Sequence, residues 1–334
     1  MKKFQDIAVI GATGMVGSIL LSLLEERDFP VRHLYLLASE RSVGEIISFR
    51  GKSHPIQALS TFDFSKTQLC FFCASNDIAK KYAPIAAEKG NIIIDKSSYF
   101  RMDPEVPLVV PEVNPGALRS LPKNIIASPN CSTIPVVVAL KPIFDAVGIE
   151  RINVATYQSV SGSGRDAVKE LAKQTAQLLN GQPISPSVYP QQIAFNVLPH
   201  IDAFEENGYT REEMKVVNET RKILDDSNLM VNATAVRVPV FFGHSIAVHA
   251  ETRKKLSAKD AMLLLSRAPG ITLFNDPATY PTPVHDAAGK DDIFVGRVRD
   301  DISHPRGLNL WIVADNVRKG AALNAIQIAE YLNQ

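Results

Sequence analysis

The chain has 334 residues, a net charge of +1, 46% hydrophobic and 21% charged residues. At roughly 100 to 200 residues per domain the length predicts two domains, each able to bury a core, and the composition excludes a disordered chain. No run of Lys and Arg marks a nucleic-acid or membrane footprint, so small molecules are the expected partners.

The N-terminal third alternates strand and helix signals. "DIAVIG" reads as a short apolar strand, "GATGMVGSILLSLLEERDFP" as a glycine-rich turn running into a helix, and "HLYLLAS" as a second strand. "LCFFCAS" and "NIIIDKSS", separated by the helical "IAKKYAPIAAEKG", continue the alternation and predict a parallel, doubly wound sheet. Gly11, Gly14 and Gly17 stand directly after the first strand. A tight turn, a close backbone approach and helix-to-strand packing each favour a residue without a side chain there, and the helix start would face a pyrophosphate. After the second strand come Ser39, Glu40, Arg41 and Ser42. Arg41 between hydroxyls suits a 2′-phosphate and favours NADP, while Glu40 leaves NAD open.

The three cysteines do not make a disulfide framework, and "MKKFQDIAVIG" lacks the apolar region of a signal peptide, so a reduced cytoplasmic protein is expected. "IPVVVALKPIF" is broken by Lys141 and Pro142 and is too short for a membrane span. Cys70 and Cys73 have C-x-x-C spacing but lie in an apolar strand and read as small buried side chains. The seven histidines show no ligand spacing, and no metal is expected.

Cys131, in "SPNCSTIP", differs. Ser132 or Thr133 is placed to cap a helix over "STIPVVVALKPIFDAVG", with Pro135 in its first turn. A cysteine at the positive end of a helix dipole has its thiolate favoured, and the polar neighbours Asn130, Ser132 and Thr133 argue against an apolar pocket. A nicotinamide domain followed by an activated cysteine points to aldehyde chemistry through a thiohemiacetal and a thioester.

"GATGMVG", "SERSVG", "RMDPEVPLVVPEVNP", "SPNCSTIP", "TYQSVSGSGRDAV", "EEMKVVNETRKIL", "RVPVFFGHS" and "ADNVRKGAALNAIQIAE" resemble, in order and over nearly the whole length, the aspartate-β-semialdehyde dehydrogenases. The resemblance implies reversible NADPH-dependent reductive dephosphorylation of L-β-aspartyl phosphate to L-aspartate-β-semialdehyde and phosphate. That reaction leads towards lysine, diaminopimelate, methionine and threonine. It also implies a homodimer and an α/β fold: a Rossmann-type dinucleotide-binding domain, residues 1–130 completed by a C-terminal helix at 315–334, and an α+β catalytic and dimerisation domain over 131–314.

The resemblance further implies residue roles. Cys131 would be the nucleophile, Gln158 would orient the acyl intermediate, and His244 would be the acid-base histidine. If "FFGHSIAVHAE" is a strand, His244 and His249 face opposite ways, but sequence alone does not choose between them. Arg237 would hold the substrate α-carboxylate; its odd spacing from His244 opposes the two on an unbroken strand, and Pro239 and Gly243 supply breaks. In "TREEMKVVNETRKIL", Thr210 and Glu213 form a capping box, leaving Glu212 free for the substrate ammonium and Lys215 nearly on its face for phosphate. Arg101 would be the second phosphate ligand. Gly11, Thr13, Gly14, Met15, Val16, Ser39, Arg41, Ser42, Ser161, Gly162 and Asn316 would contact the cofactor. Lys96 and Tyr99 depart from the family pattern at the expected cofactor-site rim. Two other readings stand beside this one: a related acyl-phosphate or aldehyde reductase, and a catalytically silent relative.

Overall fold

The structure is a computed structural model and describes residues 4–276 and 278–334. The chain divides into two compact units, one of residues 1–130 with 321–334 and the other of residues 131–320. The chain returns to the first unit at residue 321 rather than at 315, because the strand Gly307–Ala314 and the turn after it belong to the second unit.

The first unit runs β1 (Asp6–Ile10), α1 (Met15–Glu26), β2 (His33–Ala38), β3 (Ile46–Phe49), β4 (Lys52–Ala58), β5 (Leu69–Phe72), α2 (Asn76–Glu88), β6 (Ile92–Asp95) and β7 (Ile125–Ala127). These strands form one seven-stranded sheet in the order β3-β4-β2-β1-β5-β6-β7. β1 is buried at all five positions, as a central strand covered on both faces requires. All pairings are parallel except β3 with β4, a hairpin whose turn residues Arg50 and Gly51 both take positive φ, 49° and 70°. That hairpin was not anticipated, since "RG" is a weak signal for a turn that usually employs Asn-Gly or Asp-Gly.

The second unit runs α3 (Thr133–Val147), β8 (Ile149–Gln158), α4 (Arg165–Leu179), α5 (Arg211–Leu224), β9 (Met230–Arg237), β10 (His244–Thr252), α6 (Ala258–Leu265), β11 (Ile271–Leu273), β12 (Ile293–Asp300) and β13 (Gly307–Ala314). Its six strands form a mixed sheet in the order β11-β12-β13-β10-β8-β9. β8 alternates: Ile152, Val154, Thr156 and Gln158 are buried while Tyr157 is exposed. α3 packs against α5, α6 and strands β10, β12 and β13. It buries Ile134, Val136, Val137, Val138, Leu140 and Ile143, each contributing on the order of 1.5–3 kcal/mol.

The last helix, α7 (Leu323–Asn333), belongs to the first unit. It is tied there by a bidentate pair from Arg27 to Glu330 at 2.7 Å and by Asn324 Nδ2 donating to the Val109 carbonyl at 3.0 Å. Among the described residues no helix is long and apolar enough to cross a membrane. No group of three or more His, Cys, Asp or Glu side chains among them is placed to hold a metal ion.

The β1–α1 turn is close-packed. Gly11 takes φ +80°, and a Cβ there would overlap the Cys73 carbonyl; a Cβ on Gly17 would overlap the Gly11 carbonyl. Gly17→Ala therefore forces α1 off β1 and is expected to lower stability by about 1–3 kcal/mol, read as a reduced urea midpoint with an unchanged m-value.

Candidate active site

Cys131 immediately precedes Ser132, the N-cap of α3, so its thiol lies at the positive end of that helix. Ser132 does not cap with its hydroxyl, contrary to expectation; Ser132 Oγ instead accepts a hydrogen bond from Gln158 Nε2. Cys131 Sγ lies 3.4 Å from His244 Nε2.

Three strand ends assemble the rest. Gln158 ends β8 and Arg237 ends the parallel β9, and the two are register partners. His244 begins the antiparallel β10, one step beyond the Ser245–Tyr157 pair. Gln158, Arg237 and His244 thus sit side by side at one end of the sheet, all buried on its helix-covered face. The odd spacing of Arg237 and His244 sets up no conflict because they lie on different strands, with β8 between them. Gly243, at φ +86° and packed on Pro283, provides the break before β10. His249 falls on the other parity of β10 and bonds Asp301 at 2.6 Å, so strand geometry makes the choice that sequence left open.

His244 is buried, and its ring is held far below the ordinary 6.5, at about 3. Burial is the main cause and the neighbouring Arg237 adds to it, while Glu212 and the Gly243 carbonyl oppose it. The Ser159 N–H donates to His244 Nδ1 at 3.1 Å, and Ser159 Oγ lies 3.1 Å from the same nitrogen. Arg237 Nη1 donates to the Ser159 carbonyl at 2.7 Å, and its guanidinium lies 5.9 Å from the centre of the Tyr189 ring. Arg237 Nε is buried with no hydrogen-bond partner among the described residues.

The capping box of α5 forms as read: the Glu213 N–H donates to Thr210 Oγ1 at 3.3 Å and the Thr210 N–H to Glu213 Oε2 at 2.7 Å. Glu212 is not free, which corrects the sequence reading. It accepts from Gln158 Nε2 at 3.0 Å and from Lys215 Nζ at 3.2 Å, because helical spacing brings Lys215 alongside and β8 brings in Gln158. Lys215 also reaches Asp202 at 2.8 Å. Gly162 stands over the site: a Cβ there would come within 3.0 Å of Arg237 Nη1 and 3.5 Å of the His244 ring. Asn316 is buried and engages Ser159, Ser161 and the Gly243 N–H. Ser159 and Gly320 escaped the sequence reading, and Ser132 was read only as a helix cap and a polar neighbour. Gly320 packs so closely that a Cβ would lie 3.0 Å from Cys131 Cβ, and no local pattern announces it.

In the first unit, Gly11, Thr13, Gly14 and Ser39 line a cavity of about 430 Å³ together with Glu40, Ser60, Cys73, Ile78 and Tyr82. Met15 and Val16 open α1, whose N-cap Gly14 leaves the first-turn N–H groups without a side-chain cap. The cavity, the uncapped helix start and the glycine turn fit a dinucleotide. Arg41 and Ser42 follow in the 3₁₀ turn Glu40–Ser42, where Arg41 is exposed and Glu40 accepts from Ser60 Oγ. Arg101, buried in the same unit, donates from Nη2 to the Lys96 carbonyl at 2.9 Å. Lys96 Nζ donates to Ser128 Oγ at 3.2 Å, and Tyr99 is 45% exposed at the surface. Cys70 is fully buried and its thiol is pushed up to about 12, which removes it as a nucleophile.

Residues 6–121 match the family model of the semialdehyde dehydrogenase NAD-binding domain, and residues 140–319 match that of the semialdehyde dehydrogenase dimerisation domain. Over its full length the chain is 58% identical to an aspartate-semialdehyde dehydrogenase of Legionella pneumophila, covering 97% of that protein. The chain belongs to the aspartate-semialdehyde dehydrogenase family. An aspartate-semialdehyde dehydrogenase II of Vibrio cholerae, solved in complex with ASA, is 57% identical with a TM-score of 0.97, covering 99% of this chain and 98% of its own. A probable aspartate-semialdehyde dehydrogenase of Pseudomonas aeruginosa is 37% identical with a TM-score of 0.94, over 98% of each chain. Family membership makes this chain an oxidoreductase with a nicotinamide-binding first domain.

The depressed His244 value has a measurable consequence. Between pH 3 and 6.5 the unfolded chain takes up a proton that the native ring refuses, so this residue makes stability fall as pH drops through that window. The slope is up to about 1.4 kcal/mol per pH unit, and above the window the ring contributes no pH dependence. Urea unfolding at a series of pH values is expected to show a shallower acid slope for His244→Gln than for the wild type.

Proposed function

We propose that the protein catalyses the reversible, NADPH-dependent reductive dephosphorylation of L-β-aspartyl phosphate to L-aspartate-β-semialdehyde and phosphate, with Cys131 as the acyl carrier. The observation that carries this reading is the contact of Cys131 Sγ with His244 Nε2 at 3.4 Å at the start of α3. Beside it lies the unpartnered, buried Nε of Arg237.

In the reductive direction the Cys131 thiolate attacks the acyl phosphate carbonyl, the C–O bond to phosphate breaks, and a thioester forms on Sγ. The nicotinamide cofactor, when bound, supplies the hydride that reduces such a thioester. His244 moves a proton at Nε2, the ring atom that faces the sulfur. Gln158, anchored to Ser132 and Glu212, orients the acyl group. Arg237 offers the substrate α-carboxylate a planar guanidinium with an unmatched donor, and Glu212 offers its ammonium a carboxylate once Gln158 and Lys215 yield. Lys215 and Arg101 are assigned to the phosphate. Ser161, Gly162 and Asn316 are assigned to the cofactor, as are Gly11, Thr13, Gly14, Met15, Val16, Ser39, Arg41 and Ser42. NADP is the favoured cofactor because the exposed Arg41 stands between Glu40 and Ser42, ready to meet a 2′-phosphate.

The relatives' family name and the dimerisation-domain match support a homodimer serving lysine, diaminopimelate, methionine and threonine formation, for which a cytoplasmic location is proposed.

Absorbance at the NADPH band, followed with L-aspartate-β-semialdehyde in the presence and absence of phosphate, tests the function directly. Phosphate-dependent turnover is expected, reduced by about 10⁴-fold or more in Cys131→Ser. Wild-type protein that binds NADP yet gives no turnover would overturn the substrate assignment. Arg237→Ala is expected to raise KM for the aldehyde by about 10- to 100-fold through loss of a charged hydrogen-bond partner.

A further inference from the structure

Residues 180–210, between α4 and α5, hold no helix or strand. So long a stretch must find other partners for its backbone groups, and such loops are more often functional than filler. Two buried side chains of α4 supply those partners. Glu170 Oε2 accepts from the Ser187 N–H at 3.0 Å, the Ser187 hydroxyl at 2.6 Å and the Val188 N–H at 2.6 Å. Gln174 Oε1 accepts from the Ile193 N–H at 2.9 Å and the Ala194 N–H at 3.1 Å. One helical turn separates the two, and Gln174 Nε2 donates to Glu170 Oε1 at 3.0 Å, so they hold the loop as a single clasp.

The held loop meets Arg237 at two points. Leu198 exchanges both backbone hydrogen bonds with it: the Leu198 N–H donates to the Arg237 carbonyl at 2.9 Å and the Arg237 N–H to the Leu198 carbonyl at 2.8 Å. Tyr189 backs the side chain, with the guanidinium carbon 5.9 Å from the ring centre, inside the range of a cation–π contact. The ring is buried and packs with Val160, Leu171, Ile193 and Leu198, so it cannot swing aside without opening a void. Its hydroxyl lies 3.5 Å from the carbonyl of Val160, in the loop that carries Gly162. Arg237 Nη1 is committed to the Ser159 carbonyl at 2.7 Å, while Nε finds no acceptor among the described residues. Nε shares an edge with Nη2, the pair that a carboxylate meets in two parallel bonds.

We infer that Tyr189 is a positioning residue for substrate binding: held by the Glu170–Gln174 clasp, its ring fixes the plane of the Arg237 guanidinium, so that the Nε edge is set for a carboxylate before the ligand arrives. A guanidinium already fixed in place loses less freedom when the carboxylate binds, and the affinity gain comes from that saving. An aldehyde without a carboxylate gains nothing from it. This role deepens the proposed function and rests on Arg237 being the residue that holds the substrate α-carboxylate.

Steady-state kinetics with L-aspartate-β-semialdehyde test this role in the whole enzyme. Tyr189→Leu is expected to raise KM for the aldehyde about tenfold while kcat holds, and Tyr189→Phe, which keeps the ring, is expected to keep the wild-type KM. An unchanged KM in Tyr189→Leu, or a loss confined to kcat, would overturn the inference. Should Tyr189→Leu not fold, Glu170→Gln decides, because it keeps the size of the side chain but replaces the charged acceptor of the clasp with a neutral amide. A raised KM with kcat kept is expected there, and an unchanged KM would overturn the inference. A second readout needs no aldehyde: protection of Cys131 from iodoacetamide by succinate, with Cys131→Ser as the blank for the other thiols. A carboxylate on Arg237 stands beside His244, against which the thiol lies. The half-protecting concentration is expected to rise about tenfold in Tyr189→Leu and to stay in place in Tyr189→Phe. No protection of the wild type would overturn the inference. A protein inactive on aspartate semialdehyde but showing this shift would sink the proposed substrate and leave the role of Tyr189 standing.

Discussion

The 3.4 Å approach of the Cys131 sulfur to His244 Nε2 is the constraint around which the second unit is arranged. It joins a helix start to a strand start, two elements far apart in sequence, and a small shift of either would separate them. α3 cannot shift cheaply, because its apolar side chains are buried on nearly every face. Gly320 completes the fit, since a Cβ there would lie 3.0 Å from Cys131 Cβ and press on the backbone that carries the thiol.

Burial that locks the geometry also sets the chemistry. A dry, tightly packed site strengthens each hydrogen bond and penalises each unmatched charge. His244 answers by staying neutral, with Arg237 close enough to reinforce that choice. Glu212 is satisfied by Gln158 and Lys215. Among the described residues Arg237 Nε finds no acceptor, the kind of local deficit that a bound carboxylate would relieve.

The two sheets position their residues by different means. In the first unit, parallel strands bring the β1–α1 glycine turn and the end of β2 to one edge, where Gly11, Gly14, Ser39 and Glu40 line a common cavity. In the second, parallel β8 and β9 end in register, and antiparallel β10 begins where β8 stops. Gln158, Arg237 and His244 meet there as neighbours across strands, a relation that depends on pairing and not on spacing along the chain.

Local sequence determined what depends on near neighbours. The strand–glycine–helix turn, the α5 capping box, the placing of Cys131 at a helix start and the burial of Cys70 were all legible, because a turn, a cap and an apolar run are encoded within a few residues. Ordered motifs carried the family, which the matched domain models and relatives bear out. What remained hidden depends on strands and loops that meet only after folding: the Arg50–Gly51 hairpin, the choice of His244 over His249, the engagement of Glu212 by Gln158, the Ser159–Asn316 hydrogen bond and the fit of Gly320 against Cys131. Composition and periodicity specify which face of an element is apolar. Only tertiary pairing decides which polar side chains share the buried end of a sheet, because that is fixed by register between segments the chain order keeps apart.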